Sequence, residues 1–536
     1  MLLAALAAAA PALAHGFGDR YILPVPLSLW IAGAAVVVGL SFVIIEARGQ
    51  GGTAAGRYPR VNLLRWPTGR LLVDRRLWLA GRACSVALLV LLVAAGVGGS
   101  QNPTRNLAPT AIWGAWWVGF AYLSAVAGDV WQIVNPWSTL FALVERWLGP
   151  RGAPPVAYPR ALGAWPAVVL FGALAWFELV FEVRAVPAQL ALLTLGYSVL
   201  TWTGMAIFGR LAWARHGDPF AVAFGLLARI APAELRVTDS RQCRRCEAAC
   251  GGDADGCVNC VECFEKAPAA ERELNLRPLA AGLSSAQSVS SSLAVFVLLV
   301  LATVTFDSFT ATPPWSTIES ALYPLMPGSP DVKLTAVATA GLLGFIVLLV
   351  AASCAVDRRF VLSLVPIALA YHLAHRFSHL VIYGQLAIPL ISDPLGLGWD
   401  LVGTADIRPD SGLVDARVAW YAAVVAIVAG HILALRVAHV IARRELPDDR
   451  AALRRRLVLL GLMIGFTILS LWIVAQPIVE SPGPVDSTLS DYRNAGAISA
   501  MKRSRSRRSS GSGRNRLGMK RTLAPLALSC CSCSRI

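Results

Sequence analysis

Seven histidines occur in 536 residues, and five of them fall in two neighbouring apolar stretches. The first, PIALAYHLAHRFSHLVIYGQ (366–385), carries His372, His375, His379 and Arg376. As a helix it turns about 100° per residue, so its three imidazoles share an arc of roughly 60°. The second, Trp420–Ile441, adds His431, Arg436 and His439. Both are apolar enough to cross a membrane, where ionisable groups are costly and face a bundle interior, a cavity or a ligand. If one stretch runs across and the next returns, His372 and His431 each lie about twelve residues from their starting faces, near the midplane. His372, His375 and His431 are then expected to converge on one metal ion or haem, with His379 nearer the outer surface and His439 nearer the cytoplasm. Neutral imidazole suits zinc, copper and iron. Three such ligands and one open position make a metal-bound water that is nucleophilic at neutral pH. The competing reading is that these histidines hydrogen-bond helix to helix, or relay protons, without a metal.

A second constellation is thiol chemistry. Residues 243–263 read CRRCEAACGGDADGCVNCVEC, with Cys243, Cys246, Cys250, Cys257, Cys260 and Cys263. Paired C-x2-C arms bring thiolates to one tetrahedral ion, and Gly252, Asp253 and Gly256 supply the turn between them. A reducing compartment argues against disulfides. Zinc or an iron–sulfur cluster each takes four of the six, and the spacing does not choose between them. A zinc-stapled loop without chemistry of its own is the plainer of the two uses. Cys84 and Cys354 lie in apolar runs and read as packing residues.

The elements that must position these groups are membrane helices. The chain is 56% hydrophobic and 15% charged, and runs of about twenty apolar residues recur along it. The expected fold is all-α, a polytopic helix bundle with spans near 27–45, 77–97, 111–128, 164–183, 190–208, 288–306, 334–355, 360–383, 419–441 and 457–478. Arginines crowd alternate loops, from Arg48 to Arg76, at Arg146, Arg151 and Arg160, at Arg210 and Arg215, at Arg358 and Arg359, and after Arg443. By the positive-inside bias those loops face the cytoplasm and the mature N-terminus faces out, as in a bacterial inner-membrane protein. The net charge of +16 needs no nucleic-acid partner: residues 502–536 hold ten Lys/Arg and no acid, and removing them leaves +6.

The organisation follows. Residues 1–14 end in Ala-Leu-Ala and read as a signal peptide lacking a basic start. Cleavage there makes His15 the N-terminus, an amine beside an imidazole that can chelate copper, or simply the residue after the cut. Residues 15–241 hold the first five spans with interfacial helices, and 242–278 the cytoplasmic cysteine loop. Residues 279–480 hold the last five spans, and 481–536 form a basic tail to which no function is assigned. Asn135-Pro136 followed by Ser138-Thr139 signals a turn and a helix start, and tryptophans at 131, 137 and 147 suit a helix on the membrane face. Glu178 lies deep enough in the fourth span to need a partner. The loop 385–417 is long and follows the histidine helix directly, so it is placed to cap that helix. Its Asp393, Asp400 and Asp406 read as solvated turn residues rather than ligands.

Several stretches together resemble the fenitrothion hydrolase family of bacterial membrane proteins. They are HGFGDRYILPVPL (15–27), QNPTRNLAPTAIWGAWWVGFAYLSAVAGDVWQIVNPWSTLF (101–141), LYPLMP (322–327), YHLAHRFSHLVIYGQ (371–385) and SDPLGLGWDLVGTA (392–405). The resemblance covers most of residues 15–478. It implies hydrolysis of an organophosphate triester with release of a nitrophenol, and it brings no catalytic motif to carry over residue by residue. No nucleophile elbow or phosphate-cradling glycine loop stands out.

Three functions fit these features. One is a metal-dependent phosphotriester hydrolase, fed from lipid with a small apolar substrate. Another is a metal transporter or metal-handling protein using His15, the membrane histidines and the cysteines in succession. The third is a redox protein with haem on the histidines and an iron–sulfur centre on the cysteines. A partner membrane subunit is compatible with each.

Overall fold

The computed structural model describes residues 25–476 apart from 49–57, 150–153, 182–183, 240, 242–245, 247–255, 285–288, 354–357, 411 and 446–449, together with 13–14 and 21–22. The expected signal segment up to residue 12, His15, Cys243, Cys250, Cys354 and the basic tail lie outside the described residues.

Nine helices among the described residues are long and apolar enough to cross a membrane, and they make an all-α bundle. They are α1 (Leu27–Arg48), α2 (Arg75–Gly98), α3 (Leu107–Ala127), α6 (Pro187–Phe208), α8 (Ser291–Thr310), α9 (Pro330–Ser353), α10 (Arg358–Gly384), α11 (Ala416–Glu445) and α12 (Arg450–Val474). Between them lie α4 (Pro136–Trp147), α5 (Trp165–Val180) and α7 (Val261–Lys266).

The expected fourth span is the short helix α5, whose sixteen residues reach about 24 Å. Its start is tied to the start of α8, where the Ala164 N–H donates to Ser292 Oγ at 2.8 Å. Beyond its end, Pro187 opens α6 against Gly96 at the far end of α2. Helix α5 therefore runs between the same two faces as its longer neighbours.

The turn before α4 is built as its residues dictate. Asn135 caps the helix by accepting from the Ser138 N–H at 3.0 Å, and Pro136 occupies the first turn, where its missing N–H is harmless. Trp137 and Phe141 are buried, whereas Trp147 is 93% exposed. One side of α4 thus packs on the bundle and the other faces outward, as an interfacial helix should.

The tightest helix pair is α10 on α11. A Cβ at Gly430 would stand 2.3 Å from Ala370 Cβ and 3.0 Å from the Pro366 carbonyl, so only glycine allows this approach. Around the crossing, Phe171, Phe296, Ile367, Leu435 and Met463 form the main buried core.

One face of the bundle carries a small four-stranded antiparallel sheet. Its strands are β1 (Val61–Asn62), β2 (Ala233–Val237), β3 (Cys257–Val258) and β4 (Arg272–Leu276), in the order β1-β4-β2-β3. Glu234 locks it from within: Arg60 at 2.6 Å, Tyr58 at 2.7 Å and Arg277 at 2.8 Å all reach that carboxylate. On the opposite face, the loop after α10 is ordered against the 99–107 segment. Ser100 and Leu107 donate backbone bonds to Leu395 and Pro394, and Gly396 sits on the Arg105 carbonyl.

Candidate functional site

Two sites emerge, one inside the bundle and one on the sheet-bearing face. Inside, α3, α5, α8 and α10 bring ionisable groups together. Arg376 on α10 donates from Nη2 to Asp307 Oδ2 of α8 at 2.5 Å, and the same nitrogen stands 3.8 Å from Glu178 Oε1 of α5. His375 Nε2 lies 3.4 Å from that Asp307 oxygen, longer than a good hydrogen bond. One turn away, His372 Nδ1 pairs with Tyr122 Oη of α3 at 3.0 Å, and His372 is only 8% exposed.

The local sequence explains the convergence. Asp307 lies in the last turn of α8, on the half of the bundle away from the sheet, and Arg376 meets it from the middle of α10. Residues Thr110–Gly119 of α3 form a π-helix, a wider coil that recurs at functional sites. That segment turns Trp117 toward His372, with ring centroids 6.5 Å apart. Arg376 Nε is buried without a hydrogen-bond partner. A buried donor of this kind is ordinarily satisfied by an ordered water or a ligand oxygen.

The histidines do not gather as the sequence pattern suggests. His431 Nδ1 bonds back to the Ile427 carbonyl at 2.8 Å, and its Nε2 is buried and unpaired. His379 stacks on Tyr383 with centroids 4.3 Å apart, and His439 pairs with Glu46 of α1 at 2.9 Å. Among the described residues, His372, His375, His379 and His431 form no set with ligand atoms within 4.8 Å of one another. Packing commits His372 to Tyr122, His375 to Asp307 and His431 to its own helix, which scatters their nitrogens. Glu178 has the partner its depth demands, in Arg376.

Asp307 and Tyr122 are the members of this cluster that sequence reasoning misses. Ending the sixth span at 306 leaves Asp307 in a loop, although a lone acid in an otherwise uncharged apolar run is itself a signal. Tyr122 carries no such mark. In the 385–417 loop, Asp393 and Asp400 are turn residues: Asp393 accepts from the Leu397 and Gly398 N–H groups, and Asp400 from Ser392 Oγ and the Ala405 N–H.

The second site is sulfur-lined. Cys246, Cys260 and Cys263 bring their sulfurs within 4.8 Å of one another, an arrangement that could hold a metal ion. Cys246 and Cys260 sulfurs are 3.7 Å apart. Cys257 is buried in β3 but falls outside this trio. The chain is held rigidly around them. Asn259, at φ 52°, exchanges backbone and side-chain bonds with Leu235, a left-handed position that asparagine tolerates. Gln132, just past α3, accepts from the Val261 N–H at 3.3 Å, donates to the Asn259 carbonyl at 3.1 Å and donates to Asp129. Burial pushes the Asp129 carboxyl up to about 6, against the hydrogen bonds from Gln132 that pull it down. Trp78 packs against Phe264, and Arg82 of α2 pairs with Glu265 at 2.8 Å. The cysteine module is thus seated on the ends of α2 and α3.

Comparison of the chain with protein-family models, with curated proteins and with solved structures found no match.

Proposed function

We propose that the cluster of Asp307, His375 and Arg376 is the active site of a membrane-embedded hydrolase that acts on small apolar esters. The observation that carries this reading is the unpaired, buried Arg376 Nε beside an Asp–His pair. The same constellation of a carboxylate orienting an imidazole, next to a cationic donor, serves general-base catalysis with electrostatic stabilisation elsewhere. Phosphotriesters are the substrate class that the sequence resemblance implies, and such neutral, greasy esters partition into lipid.

In this reading Asp307 accepts Nε2–H of His375, a contact that tightens when substrate excludes water. Nδ1 then takes a proton from water as the water oxygen attacks phosphorus. Arg376 Nε–H stabilises the charge building on the phosphoryl oxygen, or on the thiophosphoryl sulfur of a phosphorothioate such as fenitrothion. The bond from phosphorus to the aryl oxygen breaks, and the phenolate leaves with its electron pair. The diester keeps the new oxygen, and the proton passes from His375 to solvent.

A metal-handling role is the second reading, and the sulfur trio supports it. The haem reading has less to rest on, because the described histidines form no common ligand set. Arg60 of the loop before α2 reaches the sheet, and Arg82 pairs with Glu265 beside it, which supports placing the sheet-bearing face in the cytoplasm and the 385–417 loop outside, as in a bacterial inner membrane. Purified protein in detergent, assayed for nitrophenol release from fenitrothion, tests the proposal. Turnover that depends on His375 supports it. Inert protein that instead carries metal across vesicle membranes supports the second reading.

A further inference from the structure

We infer that Cys246, Cys260 and Cys263 bind a single zinc-class ion, and that this ion fastens the cysteine module at the membrane face. The sequence spacing leaves open whether the thiols hold one ion or an iron–sulfur cluster; the geometry points to one ion. Around one tetrahedral centre with metal–sulfur bonds of about 2.3 Å, neighbouring sulfurs stand about 3.8 Å apart. The Cys246–Cys260 separation is 3.7 Å, and all three sulfurs fall within 4.8 Å of one another. A [4Fe–4S] cluster puts each cysteine on its own iron and a [2Fe–2S] cluster puts no more than two on one iron, so neither gathers three sulfurs around a single-ion edge as this trio does.

The surroundings fit a structural ion. Cys260 and Cys263 are 5% and 2% exposed, and Cys246 retains partial exposure, which gives the ion its way in. The ligands come from separate pieces of chain, Cys246 from the connector after β2 and the other two from the turn into α7. An ion therefore closes a loop between them, and the sheet here is too small to hold that loop by its own core. Gln132 and Arg82 extend the fastening from this turn to the ends of α3 and α2. The inference is independent of the intramembrane chemistry, because it concerns other residues on the other half of the bundle.

The test is metal analysis of the full chain, purified in detergent without added metal. Wild type should hold one zinc per chain, and Cys84→Ser should hold the same, because Cys84 sits exposed on α2 away from the trio. The Cys260→Ser/Cys263→Ser variant should lose it. If that variant fails to fold, X-ray absorption on wild type decides: three or four sulfur scatterers at about 2.3 Å support the site. A nitrogen- and oxygen-only shell would overturn it. So would iron with a visible chromophore and iron–iron scattering, less than a tenth of an equivalent of metal, or zinc retained in the folded double variant.

Discussion

His375 Nε2 stands 3.4 Å from Asp307 Oδ2, the same oxygen to which Arg376 donates at 2.5 Å. One carboxylate thus orients both the base and the cation of the proposed site. Asp307→Asn should leave substrate affinity nearly unchanged and lower the turnover rate by roughly ten- to a hundredfold, as loss of an orienting group does. A split between kcat and KM, measured on folded variant, checks this. A change in KM alone contradicts the orienting role.

Glu234 gathers Arg60, Tyr58 and Arg277, and both it and Arg277 have fully buried side chains. Glu234→Gln leaves the Arg277 charge without its counter-ion, a change that costs roughly 3–5 kcal/mol in comparable buried pairs. The melting temperature in detergent should fall by several degrees or more. A variant as stable as wild type contradicts the idea that this carboxylate locks the sheet.

Asp129 titrates near 6 in the folded protein because burial disfavours its charge. For a carboxyl raised in this way, the favourable contribution is complete at low pH, below the unfolded value, and is lost as pH rises through about 6. Asp129→Asn carries no charge at either extreme. It should therefore gain stability relative to wild type as pH moves from 5 to 7.5, read as the difference in melting temperature at each pH. A difference that stays flat, or shrinks with rising pH, contradicts the assigned shift.

Gly430 lets α10 and α11 touch, with a Cβ there only 2.3 Å from Ala370. Gly430→Val must push the helices apart, and His372, His375 and Arg376 move with α10. Expected outcomes are a clear loss of thermal stability and of turnover together. Gly344→Val, at a position with open space around it, is the control and should change neither.

The bundle was legible in the sequence because membrane spans announce themselves by length and apolarity alone. The α4 cap at Asn135 and the depth of Glu178 were legible for equally local reasons. What could not be read was convergence. The helical arc of His372, His375 and His379 correctly puts them on one side of α10. Which neighbours meet that side depends on α3 and α8, and they supply Tyr122 and Asp307 rather than His431. The sheet escaped for a similar reason. Its strands β1 and β3 are two residues each and pair across distant parts of the chain, with no alternating pattern long enough to see.

The most direct measurement is nitrophenol release from fenitrothion by purified wild type and by His375→Ala, each shown to be folded and monodisperse in detergent. The account predicts turnover by wild type and a loss of about a hundredfold or more in the variant, the scale of a missing general base. Equal turnover by the two, or none by folded wild type, contradicts the claim that Asp307, His375 and Arg376 form a hydrolytic site.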